Sequence, residues 1–264
     1  MSRWRRTISA PRKMDTSIDL PGQLPGTTQV LTALQHGSIE LEGQFLNSSN
    51  YTFLGRLSHE NVSMRVVYKP RKGEQPLWDF PIGTLTRREA AAYLVSEWLG
   101  WHIIPPCIYR TRKTPLGAGS LQLYVDHDPD HHYFHFSDEE KLLLKPMALF
   151  DLLVNNADRK GGHIFFDQKQ HLWGIDHGLC FHVEDKLRTV IWDFAGQEIS
   201  PSLLADMERF ISMLIKDSPQ YLELSRYIKA GEITALLRRC KQYLETPFFP
   251  YPPGDRRPFP WPPV

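Results

Sequence analysis

The sequence predicts an α+β protein of two lobes, the first rich in β-strands and the second mostly helical. Apolar and polar residues alternate over 38–57 and 62–69, a pattern typical of half-buried strands. Helices are predicted later in the chain, near 201–216, 219–229 and 231–244. The 264 residues are 41% apolar and 23% charged, a composition that suffices for one large or two modest cores.

Between these strands and helices, the sequence predicts one further helix, two strands and a polar connector. A helix is predicted over 87–99, because Thr86 and Glu89 have the spacing of a capping box and Gly100 is a typical helix stop. After it come strands near 103–110 and 120–125, a polar connector at 124–130, and a helix from Ser137. These elements place the boundary between the lobes at about residue 125.

A predicted β-hairpin in the second lobe holds two acidic residues. The segments 163–166 and 171–175 have the pattern of short strands, and 167–170 forms the turn between them. Asp158 precedes the first strand and Asp176 follows the second, so both carboxylates should emerge at the open end of the hairpin. Two carboxylates there can serve a divalent cation and an incoming hydroxyl, which phosphoryl transfer requires.

The first lobe contains weaker signals for nucleotide binding. Ser48, Ser49 and Asn50 form a small polar turn between strands, which can offer N–H groups and hydroxyls to phosphate oxygens. Lys69 ends a strand and could pair with phosphates, and Glu89 could be its partner. Alone, each has a plainer explanation: a hairpin loop, a solvated lysine and a helix cap. Their order along the chain, followed by Asp158 and Asp176, is that of a bilobal kinase.

The chain resembles the atypical kinases related to phosphatidylinositol 3- and 4-kinases. It is most similar to the type II phosphatidylinositol 4-kinases and more distantly to HipA-type kinases, over about residues 40–210. The likeness lies in the segments 48–51 (SSNY), 68–74 (YKPRKGE), 88–95 (REAAAYLV), 121–125 (LQLYV), 156–159 (NADR) and 175–179 (IDHGL). It implies a protein-kinase-like fold with Mg-ATP bound between a β-rich N-lobe and a helical C-lobe.

The same resemblance implies a role for individual residues. Lys69 would bind phosphate with Glu89 as its partner, and Asp158 would activate the acceptor with Arg159 beside it. Asp176 would hold Mg²⁺. The adenine-contacting hinge would comprise Leu123, Tyr124 and Val125, within 123–126.

Two departures from the family pattern stand out. The second metal ligand is usually an Asn five residues after the catalytic Asp, where this chain has His163. Imidazole suits Mg²⁺ poorly, so His163 lies aside, favours Mn²⁺ or weakens metal binding. The segment 75–85 is short and has no cysteine, unlike the palmitoylated insert of the type II lipid kinases, so a constitutive membrane anchor is not expected.

The predicted function is transfer of the ATP γ-phosphoryl group to a hydroxyl acceptor, which can be a lipid, a protein or a small molecule. A nucleotide-binding pseudokinase that acts as a scaffold and an enzyme that transfers AMP are the alternatives. A His/Asp metal hydrolase using His163 and His177, and a metal site in the His- and Asp-rich loop 126–135, are two less favoured readings. The segment 192–194 would line an acceptor site or pack beneath it.

Both ends of the sequence are predicted to be extensions. Residues 1–26 are basic and contain Pro and Gly, and 247–264 alternate Pro with aromatic residues that could pack on the protein or recruit a partner. The net charge of +1 gives no reason to expect nucleic-acid binding. Three widely spaced cysteines and no apolar stretch of membrane length favour the cytoplasm.

Overall fold

The computed structural model describes residues 7–8, 26–46 and 48–264. Within it the chain divides into two compact units, which are described separately. One comprises Met1–Thr86 with Pro106–Tyr124, and the other comprises Arg87–Pro105 with Val125–Val264. Most of the predicted basic N-terminal extension, 1–6 and 9–25, lies outside the described residues.

The first unit is built on a six-stranded sheet. Its strands are β1 (Thr7–Ile8), β2 (Ser38–Phe45), β3 (Thr52–His59), β4 (Val62–Pro70), β5 (Cys107–Arg110) and β6 (Gly119–Leu123). They are arranged in the order β1-β2-β3-β4-β6-β5, with β1 parallel to β2 and the other pairs antiparallel. β1 lies in a region that was expected to be only an extension, so two of those residues join the sheet.

A helix that the sequence reading missed covers one face of this sheet. α1 (Thr27–His36) buries Val30, Ala33 and Leu34 in a cluster that includes Val66 and Tyr68 of β4. Successive side chains of a strand point to opposite faces. Lys69 therefore lies on the face of the sheet opposite α1.

The second unit is mostly helical, as predicted. Its elements are α2 (Leu85–Leu99, from Arg87 onward), α3 (Asp138–Leu142), α4 (Lys145–Val154), the hairpin of β7 (Ile164–Phe166) and β8 (Leu172–Gly174), α5 (Pro201–Met213), α6 (Pro219–Leu224) and α7 (Ala230–Glu245). α7 packs against both α4 and α5. The helix predicted from Ser137 is two helices, and Ser137 caps the first of them through a capping box with Glu140.

The ends of α2 differ in how well the sequence predicted them. At the C-terminal end, Gly100 has φ of +78°, and the N–H groups of Gly100 and Trp101 bond to the carbonyls of Glu97 and Ser96, a Schellman arrangement. At the N-terminal end, Thr86 lies inside the helix and donates from its N–H and its hydroxyl to Glu74, at 2.9 and 2.7 Å. The predicted Thr86–Glu89 capping box is therefore wrong.

The Pro-rich segment 247–264 packs on the second unit. Phe249 is 4% exposed and lies 5.5 Å from Phe194, between ring centroids. Of the two possibilities left open for this segment, packing on its own chain is the one observed. All three cysteines are free and buried.

Over the described residues, no helix combines the length and apolar character needed to cross a membrane.

Candidate active site

The β7–β8 hairpin holds Asp176 close to α4, the helix that leads to Asp158. Ile164 pairs with Gly174 at its open end, and the Gly174 N–H donates to the Ile103 carbonyl at 2.7 Å. A Cβ atom on Gly174 would lie 2.5 Å from the end of the Met147 side chain in α4, so the hairpin packs closely against this helix. Asp158 and Asp176 lie within electrostatic reach of each other, because the charge of Asp176 raises the pKa of Asp158; their joint role at the open end of the hairpin stays a prediction.

The pKa of Asp158 is raised to about 6, mainly because burial disfavours its charged form. The negative charge of Asp176 raises it further, while the cations of Lys160, Arg159 and Arg188 lower it. The backbone N–H of Asp158 donates to Asn156 Oδ1 at 3.0 Å, which fixes the loop beneath the carboxylate. A carboxylate with this pKa can accept a proton from a hydroxyl near neutral pH.

Arg159 is buried and acts as an anchor. Its Nε lies 3.0 Å from Asp151 Oδ2 in an ion pair of which both side chains are fully buried. Its Nη1 donates to the carbonyls of His163 and Ile175, at 3.3 and 2.9 Å. Arg159 thus joins the loop of Asp158 to the strand that precedes Asp176. The prediction that it is a catalytic residue needs correction, because a fully buried guanidinium does not meet a substrate.

Asp151 is a structural centre that sequence reasoning missed. Besides Arg159, its carboxylate accepts from Asn156 Nδ2 at 3.0 Å and from Thr189 Oγ1 at 3.3 Å. It lies on the buried face of α4, and a charged residue inside an apolar helical run was the available signal. Asp151 connects the Asp158 loop with the segment around Thr189.

The Asn155 side chain holds the segment after Asp176 by hydrogen bonds to its backbone. It ends α4 in the left-handed conformation, with φ of +54°. Its Nδ2 donates to the carbonyls of His182 and Glu184 at 3.0 and 2.6 Å, and its Oδ1 accepts from the Lys186 N–H at 2.9 Å. The side chains of Asn155 and Asn156 therefore make hydrogen bonds that hold this region together. They do not replace the metal-binding Asn of the family.

His163 and Asp176 form a pair that could hold a metal ion. His163 Nε2 lies 3.3 Å from Asp176 Oδ2. Two ligands at neighbouring corners of an octahedron with bonds of about 2.1 Å are about 3 Å apart, so this separation fits one shared cation. No group of three His, Cys, Asp or Glu side chains suited to a metal ion occurs in the described part of the chain. Nucleotide-borne Mg²⁺ commonly takes only one or two carboxylates from the protein, with phosphates and water completing its shell.

Glu89 contacts the residue that follows Asp176. Its Oε2 accepts a hydrogen bond from the His177 N–H at 2.9 Å. His177 is fully buried, and its Nε2 faces Arg159 Nη2, which can only donate, so this ring nitrogen is an acceptor. His177 Nε2 is therefore occupied by Arg159, and with no group of three metal-ligating side chains in the described residues the structure gives no support to a His/Asp metal hydrolase.

In the turn between β2 and β3, two of the three side chains predicted to contact phosphate bond to other groups of the protein. The hydroxyls of Ser48 and Thr52 lie 2.9 Å apart, and Asn50 Oδ1 accepts from the Gln75 N–H at 2.7 Å. Ser49 is exposed. Lys69 pairs with Ser120 of β6 in the ladder and is half-buried. The roles of Lys69, Ser48, Ser49 and Asn50 toward a nucleotide stay predictions.

The chain passes from the first unit to the second at the predicted hinge. The N–H groups of Leu123 and Tyr124 donate to the carbonyls of Pro106 and Arg65, at 2.8 and 3.0 Å. The Val125 carbonyl lies 2.9 Å from His127 Nδ1. Adenine contacts of Leu123, Tyr124 and Val125 also stay a prediction.

The histidines of the loop 126–135 are engaged in packing. His127 stacks on Phe165, with ring centroids 3.7 Å apart, and His131 Nε2 lies 2.7 Å from Glu140 Oε1. With no three-ligand group in the described residues, this loop gives no support to the proposed metal site. In the segment 192–194, Asp193 accepts from the Tyr133 hydroxyl at 2.7 Å and Phe194 is buried. Phe194, the last residue of this segment, packs beneath the protein surface.

Two curated proteins are similar to this chain in sequence. The Mycobacterium tuberculosis protein Rv2133c is 41% identical over 87% of this chain and 93% of its own length. The Arabidopsis thaliana phosphatidylinositol 4-kinase gamma 4 is 26% identical over 55% of this chain, which spans only 30% of that protein. No model of a known protein family matches the sequence.

Solved kinase structures share the fold. Hydra Fam20 with sugar aligns over 83% of this chain and 88% of its own, with a TM-score of 0.55 and 14% identity. The Golgi casein kinase with Mn/ADP bound aligns over 83% of this chain and 74% of its own, with a TM-score of 0.52 and 14% identity. The predicted α+β kinase-like fold is thereby confirmed. A specific closeness to type II phosphatidylinositol 4-kinases stays a prediction.

Proposed function

The chain belongs to the family of the Mycobacterium tuberculosis protein Rv2133c and has the fold of atypical kinases, and from this premise we propose that it is an ATP-dependent phosphotransferase. It moves the γ-phosphoryl group of ATP to a hydroxyl acceptor. The observation that carries the proposal is the placement of two carboxylates within electrostatic reach of each other. Burial raises the pKa of Asp158 to about 6, the charge of Asp176 raises it further, and Asp176 Oδ2 lies 3.3 Å from His163 Nε2.

Asp158 is the group that receives the acceptor. Its pKa of about 6 leaves it mostly ionised at neutral pH and still basic enough to take the hydroxyl proton. Asn156 and Arg159 hold its loop from below. The acceptor oxygen would approach Asp158 as it attacks the γ-phosphorus, the bond to the β-phosphate oxygen would break, and ADP would leave.

Asp176 and His163 are the residues that would hold a divalent cation, Mg²⁺ or Mn²⁺. The ion would neutralise phosphate charge when it is bound. Arg159 and Glu89 keep Asp176 in place, the first through the Ile175 carbonyl and the second through the His177 N–H. The protein thus contributes orientation to a reaction that depends mostly on position and charge.

Lys69 and Glu89 are assigned to the nucleotide by the family resemblance. Lys69 supplies the ammonium for the α and β phosphates, and the polar turn with Ser48, Ser49 and Asn50 supplies N–H groups. The first acceptor to test is an inositol lipid, since the resemblance and the Arabidopsis relative both point to that class. Protein hydroxyls and small metabolites are the other acceptors to screen.

The test is transfer of label from γ-³²P-ATP to pools of lipid, protein and small molecules, with Mg²⁺ and with Mn²⁺. Asp158→Asn and Asp176→Asn should abolish transfer, whereas Asp217→Asn, at an exposed loop, should not. Absence of both transfer and ATP hydrolysis from the unmodified protein under all conditions would refute the proposal.

His163 favours one alternative, a nucleotide-binding pseudokinase that acts as a scaffold. Saturable ATP binding without turnover would support it, provided that His163→Asn also stays inactive. AMP transfer is distinguished by the same assay with α-³²P-ATP, because label would then reach the acceptor from the α position.

A further inference from the structure

The C-terminal segment 247–264, here called the strap, runs along the second unit to the loop of Asp158. At its start the Ile199 N–H donates to the Pro247 carbonyl at 2.8 Å, and Phe249 is buried. Farther on, Arg256 Nη2 lies 2.6 Å from Asp185 Oδ2. The strap is therefore fixed to the unit before it reaches the candidate active site.

The strap then contacts the Asp158 loop directly. The Gly161 N–H donates to the Pro263 carbonyl at 2.8 Å. Gly161 begins the 3-10 turn Gly161–His163, and the far end of this turn places His163 Nε2 3.3 Å from Asp176 Oδ2. Because Gly161 also lies close behind Asp158 in the sequence, a displacement at Gly161 would move the loop that carries Asp158.

A second strap contact holds the same loop from its other side. The Thr189 N–H donates to the Pro258 carbonyl at 3.0 Å. Thr189 forms a parallel bridge with Arg159, and its hydroxyl donates to Asp151. The strap thus bonds to both neighbours of the Asp158 loop, the turn at 161–163 and the segment at 188–190.

We propose that the strap is a positioning element of the active site, which acts through the carbonyls of Pro258 and Pro263 on the Asp158 loop. This inference rests on the proposed phosphotransferase function. Because the strap holds the loop without supplying a reacting group, its loss should lower kcat and leave the KM for ATP nearly unchanged.

The experiment compares three shortened proteins with the full chain. Ending the chain at Trp261 removes the Pro263 carbonyl, and ending it at Arg257 removes the Pro258 carbonyl as well. Ending it at Pro263 is the matched control, because a terminal carboxylate oxygen remains for the Gly161 N–H. All three keep Phe249 and Arg256, which fix the strap.

Amide hydrogen exchange and steady-state kinetics are measured on each protein. In the Trp261-ending protein, exchange at Gly161 should accelerate about 10-fold or more. Its kcat should fall about 10- to 100-fold, with the KM for ATP within about 2-fold. The Arg257-ending protein should also lose protection at Thr189, and the Pro263-ending protein should behave like the full chain.

An unchanged kcat in the Trp261-ending and Arg257-ending proteins would overturn the proposal, whether or not exchange at Gly161 accelerates. A rise in kcat would overturn it too, since the strap would then block the site. If the full chain transfers no phosphate to any acceptor, the proposed function fails, and the positioning role fails with it. The exchange measurement still decides separately whether the strap contact orders the loop.

Discussion

The Glu89 carboxylate accepts a hydrogen bond at 2.9 Å from the backbone N–H of His177, the residue after Asp176. The family resemblance assigns Glu89 to a lysine, and this contact gives it a further task. Asp176 has a positive φ of +61°, a conformation that a non-glycine residue keeps only when its neighbours hold it. Glu89 and Arg159 supply that hold on either side of Asp176.

Removal of the Glu89 carboxylate should therefore loosen the backbone at Asp176, the proposed metal ligand. Glu89→Ala leaves the buried His177 N–H without this acceptor and should lower the free energy of unfolding by about 1.5–3 kcal/mol. Glu89→Gln keeps an acceptor oxygen and should cost less than half as much. Urea unfolding measures both. Equal losses in the two variants would show that the contact contributes little.

Asp158→Asn should stabilise the protein at neutral pH while abolishing transfer. The folded-state pKa of Asp158, about 6, exceeds its ordinary value of 3.8, so the stability it contributes is complete below pH ~4 and is lost as the pH rises through 6. Asn imitates the protonated form. At pH 7 the variant should gain about 1–2 kcal/mol, after allowance for solvent screening, and at pH 4 almost nothing.

Thermal or urea unfolding at both pH values tests this directly. A loss of stability at pH 7 would mean that the Asp158 carboxylate is held by contacts stronger than its burial cost. The accompanying loss of kcat should be about 10²-fold or more, as expected for a group that takes a proton.

The pH dependence of kcat/KM should reflect the ionisation of Asp158. Activity should fall as the pH drops through about 6, because protonated Asp158 cannot accept the hydroxyl proton. Lys160 and Arg188 both lower the pKa of Asp158. Lys160→Gln and Arg188→Gln should each move the acidic limb of the profile to higher pH.

Lys169→Gln, in the turn of the hairpin, is the charge-matched control and should leave the acidic limb in place. An identical shift in all three variants would reflect the net charge of the protein rather than the local field at Asp158.

The buried Arg159–Asp151 ion pair should be among the most sensitive sites for stability. Asp151→Asn leaves a buried guanidinium without its counterion and should cost about 3–5 kcal/mol. Arg159→Lys keeps the charge but cannot make the forked contacts to Asp151 and the carbonyls of His163 and Ile175. It should therefore also destabilise the protein, as measured by chemical unfolding. A change below 1 kcal/mol in both variants would contradict this role.

The sequence predicted best what depends on local pattern. Alternation predicted β3 and β4, and the turn residues 167–170 predicted the β7–β8 hairpin that lies between Asp158 and Asp176 in the sequence. α1 was missed although Val30, Ala33 and Leu34 have the spacing of one helical face, because the preceding Pro- and Gly-containing stretch suggested an extension.

Local sequence patterns could not predict contacts between residues that are far apart in the chain. Glu74 caps α2 in place of Thr86, and Glu89 bonds to His177, 88 residues away. The buried role of Arg159 depends on Asp151, and local spacing gives no sign of this pairing. Packing of the strap likewise depends on tertiary partners such as Phe194 and Asp185.

The imidazole of His163 should set the metal preference of the site. It lies 3.3 Å from Asp176 Oδ2, and nitrogen ligands favour Mn²⁺ over the oxygen-seeking Mg²⁺. His163→Asn offers an amide oxygen and should raise the affinity for Mg²⁺ relative to Mn²⁺ about 3- to 10-fold in the presence of ADP. Calorimetry with each metal, and the electron paramagnetic resonance signal of bound Mn²⁺, measure this ratio without catalysis. His171→Asn, whose ring bonds to the His102 carbonyl at the other end of the hairpin, is the control and should leave the ratio unchanged. If His163→Asn leaves it unchanged too, His163 does not ligate the metal, and Asp176 binds it without help from this side chain.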